Sequence, residues 1–214
     1  AVEAAKDADT ILLFVGDTEQ TSREAWADAH LGDRTSLDLV GEQNALFEAL
    51  KALGKPIVAV LVNGRPPSYP ALAEGADAIV ETWYAGEQQG NAIADALFGR
   101  INPGGKLPVT VARDVGQVPN FYNYKPSARR GYLFSDVTPL YPFGFGLSYT
   151  DFAFGTPQVS ASSIRAGQGV TVRVPVRNIG AIAGDEVVQV YLRDNVSSVT
   201  RPVKELARDR ADIV

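Results

Sequence analysis

The chain contains no cysteine, which excludes disulfide bonds, thiolate metal ligands and cysteine nucleophiles. Its single histidine, His30, excludes a histidine-rich metal site, and a serine–histidine–aspartate triad would have to use that one residue. The chain also lacks methionine, even at position 1, and its first residues already have the composition of a helix. We therefore expect a processed or excised segment of a longer product, without a targeting signal of its own.

Long apolar runs and an excess of positive charge are also missing. No apolar run approaches transmembrane length. With 20 Lys and Arg against 25 Asp and Glu, the net charge is −5, which argues against nucleic acid or an anionic membrane as a partner. The same charge balance favours a neutral or weakly polar ligand. Because 45% of the residues are hydrophobic, we expect a packed core.

Strand and helix patterns alternate along the first half of the chain. Short apolar runs that end at turn residues predict buried parallel strands at residues 10–15, 56–62 and 78–83. Helical spacing predicts one helix around residues 46–53, between the first two strands, and another at 91–98, after the third. A further short strand is predicted at 107–111. This alternation indicates an α/β fold, with a mainly parallel sheet flanked by helices.

Changes of pattern divide the chain into three predicted parts. Residues 1–111 are assigned to the α/β domain. Residues 112–156 are rich in Pro, Gly, Tyr and Phe, and we expect an ordered linker arm. Residues 157–214 alternate at period two, which indicates a partial antiparallel β-sandwich. Since a full immunoglobulin-like sandwich needs roughly 100 residues, an inner apolar face should stay uncovered here.

Several segments in a fixed order carry a resemblance to a known family. They are Gly54–Val58 with Val62–Pro66, Glu81–Glu87, Gly90–Gly99 with Asn102–Pro108, and Leu140–Thr150. Together they resemble the glycoside hydrolase family 3, most closely its bacterial β-glucosidases and β-xylosidases. Members of that kind have a (β/α)₈ barrel, then an α/β sandwich, then a fibronectin type III-like domain. The resemblance implies that this chain is the second domain with a truncated third.

The resemblance also implies a mechanism and a cellular setting. Retaining enzymes of this family use an aspartate nucleophile on the barrel and, usually, a glutamate acid/base on the second domain. An N-terminal barrel domain on another segment is therefore the expected partner, and a β-linked oligosaccharide or glycoside the expected substrate. The family resemblance favours a periplasmic or secreted protein. No cofactor and no metal are expected, and a homo-oligomer stays open.

Glu24 is the candidate acid/base. It follows the carboxyl end of the first predicted strand, where open α/β sheets bind their ligands. The family usually has this glutamate a few residues before an arginine. The matching Arg34 lies further along, so the loop carries an insertion and Glu19 is the alternative. A solvated glutamate paired with Arg23 is the structural interpretation, and Asp17 is assigned to capping the next turn.

Four other residues are candidates for substrate binding. Arg65 follows the second predicted strand and could orient a site carboxylate or form a structural ion pair. Trp83 and Tyr84 end the third, and aromatic faces suit the C–H faces of sugars, although core packing also explains Trp83. His30 shares the loop of the acid/base candidate, where a surface or packing role is the alternative.

The predicted function is that of an enzyme part. The chain would carry the acid/base of a retaining β-glucosidase or β-xylosidase, which hydrolyses terminal β-linked sugars when joined to its barrel domain and is inactive alone. The alternative function is a noncatalytic carbohydrate-binding or scaffold module.

Overall fold

A computed structural model describes residues 1–22, 34–128, 131 and 133–207, with the side chains of 19, 22 and 128 left out. Its helices are α1 (Val2–Ala5), α2 (Glu19–Ser22), α3 (Gln43–Lys51), α4 (Pro70–Gly75) and α5 (Gln89–Leu97), with 3₁₀ turns at Val115–Gln117 and Pro126–Ala128. Its strands are β1 (Ile11–Gly16), β2 (Ile57–Val62), β3 (Ala78–Glu81), β4 (Phe152–Phe154), β5 (Gln158–Val159), β6 (Val172–Arg173), β7 (Val176–Asn178), β8 (Tyr191–Leu192) and β9 (Glu205–Leu206).

The first three strands form a parallel sheet in the order β1-β2-β3. In the register, Val15 pairs with Leu61 and Leu61 with Glu81, so all three carboxyl ends lie at one edge. The later strands pair antiparallel, β4 with β7, β5 with β6 and β8 with β9. The predicted fold class, a mainly parallel sheet flanked by helices with antiparallel elements after it, is confirmed.

The hydrophobic core lies on one face of the parallel sheet. Successive side chains of a strand point to opposite faces, and in β1 Ile11, Leu13 and Val15 are buried while Leu12 and Phe14 are half-exposed. The core is completed by residues of β2, α3 and α4 and of the loops outside these elements, namely Leu39, Phe47, Leu50, Ile57, Ala59, Leu61, Tyr69, Leu72 and Val111. Each fully buried side chain of this size contributes about 1.5–3 kcal/mol.

The strand predicted at residues 107–111 is not formed. Val111 makes only an isolated antiparallel bridge with Tyr141, outside the parallel sheet. Pro108 interrupts the segment, and because proline has no N–H it cannot continue a ladder of hydrogen bonds. The sequence prediction was wrong here because the apolar pattern continued across that proline.

The chain groups into two compact units. One comprises the described residues of Ala1–Ile93, Leu107–Phe145 and Gln189–Val214, and the other Ala94–Lys106 and Gly146–Val188. These are spatial groupings, and the sequence-based domain ranges 1–111, 112–156 and 157–214 stay predictions. None of the helices among the described residues is long and apolar enough to cross a membrane.

Aromatic contacts hold the linker segment within the first unit. Tyr141 lies 6.0 Å from Tyr69, between ring centroids, and its backbone oxygen accepts a hydrogen bond of 2.8 Å from Val111. The rings of Tyr122 and Phe143 stack at 4.4 Å. The aromatic side chains of this segment therefore pack within the first unit, at distances favourable for ring pairs.

Polar contacts of Asn102 and Lys106 organise the second unit. Asn102 accepts a hydrogen bond of 2.7 Å from the Tyr149 backbone and donates one of 3.0 Å to the Ala183 carbonyl. Lys106 and Glu186 form a largely buried ion pair of 3.2 Å. The valine-rich segments beyond them keep half-exposed side chains on very short strands. The described part of the sandwich therefore lacks a covered apolar face, as its length predicts.

Candidate active site

The carboxyl end of β1 is fixed by close backbone contacts. Gly16 has φ +146°, and a Cβ added there would overlap the Val62 carbonyl oxygen, so only glycine fits. Gln43 accepts a hydrogen bond of 2.6 Å from the Gly16 N–H and donates one of 2.8 Å to its carbonyl. The Asp17 N–H donates to Val62 O at 3.0 Å. The direction in which the chain leaves β1 is thereby set.

Asp17 and Arg34 form an ion pair at this edge of the sheet. Arg34 Nη1 lies 3.6 Å from Asp17 Oδ2, and the two side chains are only 7% and 5% exposed. Arg34 Nη2 also donates a hydrogen bond of 2.6 Å to the Asp38 carbonyl. Asp17 was predicted to cap a turn, but the turn that follows is closed by the Thr18 and Thr21 hydroxyls instead.

Tyr84 connects the ends of all three parallel strands. Its hydroxyl donates a hydrogen bond of 2.7 Å to the Asp17 carbonyl oxygen, with Asp17 Oδ1 3.3 Å away. Its ring lies against Gly64, where an added Cβ would overlap the ring. Desolvation and the nearby Asp17 carboxylate raise the pKa of Tyr84. With 51% of its surface exposed, the side chain presents an aromatic face to solvent.

The backbone between β3 and Tyr84 turns through an unusual conformation. Trp83 has φ +51°, the one non-glycine residue with positive φ in the described chain. Its N–H donates to Glu81 Oε1 at 3.1 Å, and its carbonyl accepts from Gln89 Nε2 at 2.9 Å. The Thr82 hydroxyl donates to the Leu61 carbonyl at 2.8 Å. Neighbouring side chains thus hold the turn in place.

Glu81 places a largely buried carboxyl group at this edge of the sheet. Burial raises its pKa from 4.5 to about 7, and the Asp17 charge acts in the same direction, while the Trp83 N–H and the Asn63 amide lower it. Glu81 Oε2 and Asn63 Oδ1 are both buried without a hydrogen-bond partner among the described residues. The Asn63 amide nitrogen donates its hydrogen bond to the Arg65 carbonyl, at 2.9 Å.

The sequence-predicted site residues fall into two groups. Arg65, Trp83 and Tyr84 lie at the carboxyl edge of the sheet, where the strand pattern predicted them. Glu24 and His30 lie outside the described residues. The backbone of Glu19 belongs to α2, and its side chain is not described. Roles for these residues therefore stay predictions.

The predicted residues differ in their surroundings. Arg65 is partly buried and makes no ion pair within the described chain, where the nearby Asp17 pairs with Arg34. Trp83 is partly buried and Tyr84 is the more accessible aromatic residue. Residues 1–22, 34–128, 131 and 133–207 contain no cluster of three or more His, Cys, Asp or Glu side chains that could hold a metal.

Sequence reasoning missed two contributors to this edge of the sheet. One is the pairing of Asp17 with Arg34, which their spacing along the chain does not predict. The other is Glu81, for which a signal did exist. At period two, Glu81 follows Ile79 on the core-facing side of its strand, and a carboxylate at such a position is an exception that indicates a special role.

Comparison with known proteins identifies the family. A sequence profile described as the glycosyl hydrolase family 3 C-terminal domain matches residues 1–149. A β-xylosidase of Formosa agariphila is 49% identical over 96% of this chain and 28% of its own length. A periplasmic β-glucosidase of Salmonella typhimurium is 43% identical over the same shares of the two chains.

Solved structures agree with the sequence comparison. The structure of a β-glucosidase from Erythrobacter marinus has a TM-score of 0.91 and 54% identity, and the match covers 96% of this chain and 28% of that one. The chain therefore spans less than a third of the length of these relatives. As the resemblance of its segments predicted, the chain belongs to glycoside hydrolase family 3, matching the family's C-terminal domain.

Proposed function

We propose that this chain is the acid/base-bearing C-terminal part of a retaining β-glycosidase. The observation that supports it most is the pairing of Asp17 with Arg34 at the carboxyl edge of the sheet. The residues between them include both acid/base candidates, Glu24 and Glu19. Asp17 and Arg34 lie together beside the strand ends. The segment that contains Glu19 and Glu24 therefore begins and ends where α/β folds bind ligands.

The mechanism follows from the two-carboxylate chemistry of retaining glycosidases. Glu24 donates a proton to the glycosidic oxygen as the leaving group departs, and an aspartate outside this chain attacks the anomeric carbon. Glu24 then takes a proton from the water that hydrolyses the glycosyl-enzyme. Glu19 is the alternative for both proton transfers.

The described side chains supply the surroundings of this chemistry. The Asp17–Arg34 pair carries no net charge, so it fixes the chain at the strand ends without adding a charge there. The exposed ring of Tyr84 can pack against the C–H face of a sugar, and Arg65 lies at the neighbouring strand end. Trp83 and His30 are the other two candidates for contact with the substrate.

The relatives support a substrate class and a location. The names of the Formosa and Salmonella proteins are those of a β-xylosidase and a periplasmic β-glucosidase. We extend these to a β-glucoside or β-xyloside as substrate and to the periplasm or the outside of the cell as the location. The same relatives are more than three times longer than the matched region, which supports an N-terminal barrel as the missing partner.

A complementation experiment tests the proposal. The isolated chain should not hydrolyse aryl-β-glucosides or aryl-β-xylosides above background, since the nucleophile is absent. A matching barrel segment should also be inactive alone and should gain turnover when the chain is added. If the chain binds glucose or xylose but never restores turnover, the alternative of a noncatalytic carbohydrate-binding module is correct.

A further inference from the structure

We propose that Glu81 is a positioning residue, which holds the Trp83 turn so that Tyr84 presents its ring at the substrate edge of the sheet. The inference rests on the proposed function, because it assigns this edge to a glycosidase site. The first observation is the φ of +51° at Trp83. A bulky L-residue avoids this conformation, and such outliers persist only where the surrounding structure over-determines them.

Three side chains supply that over-determination. Glu81 Oε1 accepts the Trp83 N–H at 3.1 Å, and Gln89 Nε2 donates to the Trp83 carbonyl at 2.9 Å. Gln89 Nε2 also donates to the Thr82 hydroxyl at 3.0 Å. Of these contacts, only the one from Glu81 satisfies the Trp83 N–H, so loss of this carboxyl frees the amide end of the turn.

The turn determines where Tyr84 lies. Tyr84 directly follows Trp83. Two contacts restrict where its side chain can lie, because its hydroxyl donates to the Asp17 carbonyl and its ring lies against Gly64. Rotation of the preceding peptide would move the ring away from both. Glu81 therefore acts on the exposed aromatic face through the Trp83 backbone, without touching substrate itself.

The charge state of Glu81 links this position to pH. Glu81 Oε2 has no hydrogen-bond partner in the described structure, nor has Asn63 Oδ1. A protonated carboxyl brings a donor into a region that has two unpaired acceptors, whereas an ionised one adds a buried charge near Asp17. Among the described residues, Tyr69 is the other titratable group that interacts with Glu81, and its pKa is raised by burial and by that carboxylate. Arg34 is paired with Asp17 at the same edge of the sheet.

The pKa of Glu81, raised by burial to about 7, gives the sign of the effect. Below neutral pH the carboxyl is protonated and the turn is held. Above it, the ionised carboxylate is the stronger acceptor for the Trp83 N–H, but its charge is buried. Because burial raises the pKa of Glu81 in spite of that hydrogen bond, conformations that expose the carboxylate gain stability and the turn loosens. The KM for a glycoside should therefore rise as the pH passes upward through 7, in addition to any ionisation of the acid/base.

The test uses steady-state kinetics of the full-length enzyme that contains this chain, over pH 5–9. Glu81→Ala removes the acceptor of the Trp83 N–H and should raise KM about threefold to tenfold, the range for one lost hydrogen bond, with a smaller effect on kcat. Glu81→Gln keeps an acceptor and brings a neutral donor. It should recover most of the loss in KM and abolish the rise of KM above neutral pH.

Glu74→Gln is the matched control, because Glu74 is exposed on α4 and the substitution changes the same charge. It should leave the pH profile of KM as in the wild type. If Glu81→Ala does not fold, the profile of Glu81→Gln decides. Two results would overturn the positioning role. One is a KM for Glu81→Ala equal to that of the wild type, and the other is a KM for Glu81→Gln that still rises above neutral pH. An inactive wild-type enzyme would instead contradict the proposed function, so the two failures are distinguishable.

Discussion

Arg34 Nη1 lies 3.6 Å from Asp17 Oδ2, and both side chains are more than nine-tenths buried. The pair joins residues that are distant in sequence and adjacent in space, one on each side of the segment with both acid/base candidates. A pair removed from water in this way depends on its partner, because either charge alone would be left buried and uncompensated. The two ends of this segment are thus held by a pair in which loss of either partner leaves the other charge buried.

The first prediction concerns the stability of this ion pair. Arg34→Ala should lower the free energy of unfolding by about 3–5 kcal/mol, because it leaves the Asp17 carboxylate buried without its cation. Arg100→Ala is the matched control. Arg100 lies closer to its partner Asp95, at 3.1 Å, but is 77% exposed, and an exposed pair contributes only about 0–1 kcal/mol.

Urea denaturation of both variants at pH 7 measures the difference. Equal losses for the buried and the exposed arginine would show that burial of the Asp17–Arg34 pair has no energetic consequence, contrary to its geometry.

The second prediction is a pH dependence of stability caused by Glu81. Burial raises its pKa from 4.5 to about 7, so the folded state binds the proton more tightly than the unfolded state. The stability contributed by this group is therefore complete below pH 4.5 and is lost as the pH rises to 7. At about 1.4 kcal/mol per pKa unit, the loss is at most about 3–4 kcal/mol.

Comparison of wild type and Glu81→Gln by denaturant titration at several pH values isolates this loss. The variant should become more stable relative to the wild type as the pH rises between 4.5 and 7. A stability difference that is flat across this window would mean that Glu81 titrates normally in the folded chain.

The third prediction concerns the contact between Gly64 and Tyr84. A methyl group at position 64 would overlap the Tyr84 ring, so Gly64→Ala should displace that ring and destabilise the chain. The same substitution should be almost harmless in a Tyr84→Ala background, where the ring is absent. Gly90→Ala, with open space around the added carbon, serves as the control.

The coupling is read from a double-mutant cycle on the free energy of unfolding, and contacting residues usually give about 0.5–3 kcal/mol. Additive effects of Gly64→Ala and Tyr84→Ala would show that the ring does not lie over Gly64 in solution.

The fourth prediction concerns the valine-rich segments of residues 170–190. Their side chains are half-exposed and their strands, β6 and β7, have two and three residues. Amides there should exchange with solvent much faster than those of β2, whose residues Ile57–Val62 lie in the buried parallel sheet. Protection equal to that of β2, independent of protein concentration, would show that this partial sandwich is self-sufficient.

The sequence predicted the parallel strands well because each is an uninterrupted apolar run ending in turn residues. It did not reveal α4, whose six residues are too few to show a helical period. The strand expected to reach Trp83 ends at Glu81, because the positive φ at Trp83 breaks the ladder. No local pattern announces that conformation, which depends on Gln89 in the next helix.

The candidate site was predictable to a similar degree. Strand order brings Arg65, Trp83 and Tyr84 to one edge, and this follows from apolar patterning and the parallel topology alone. The ion pair of Asp17 with Arg34 does not follow from that patterning, because any of several arginines could have paired with the Asp17 carboxylate. Its selection depends on side-chain packing among distant segments, which spacing along the chain does not encode.

The most direct test of the whole account is the leaving-group dependence of Glu24→Ala in the barrel-containing enzyme, with and without azide. On substrates with poor leaving groups the variant should lose about a hundredfold or more in rate. Dinitrophenyl glycosides, which need no proton to depart, should be affected far less. Azide should restore the rate and yield a β-glycosyl azide. Equal losses on both kinds of substrate, with no azide product, would contradict an acid/base at Glu24, and the full pattern in Glu19→Ala would assign that role to Glu19 instead.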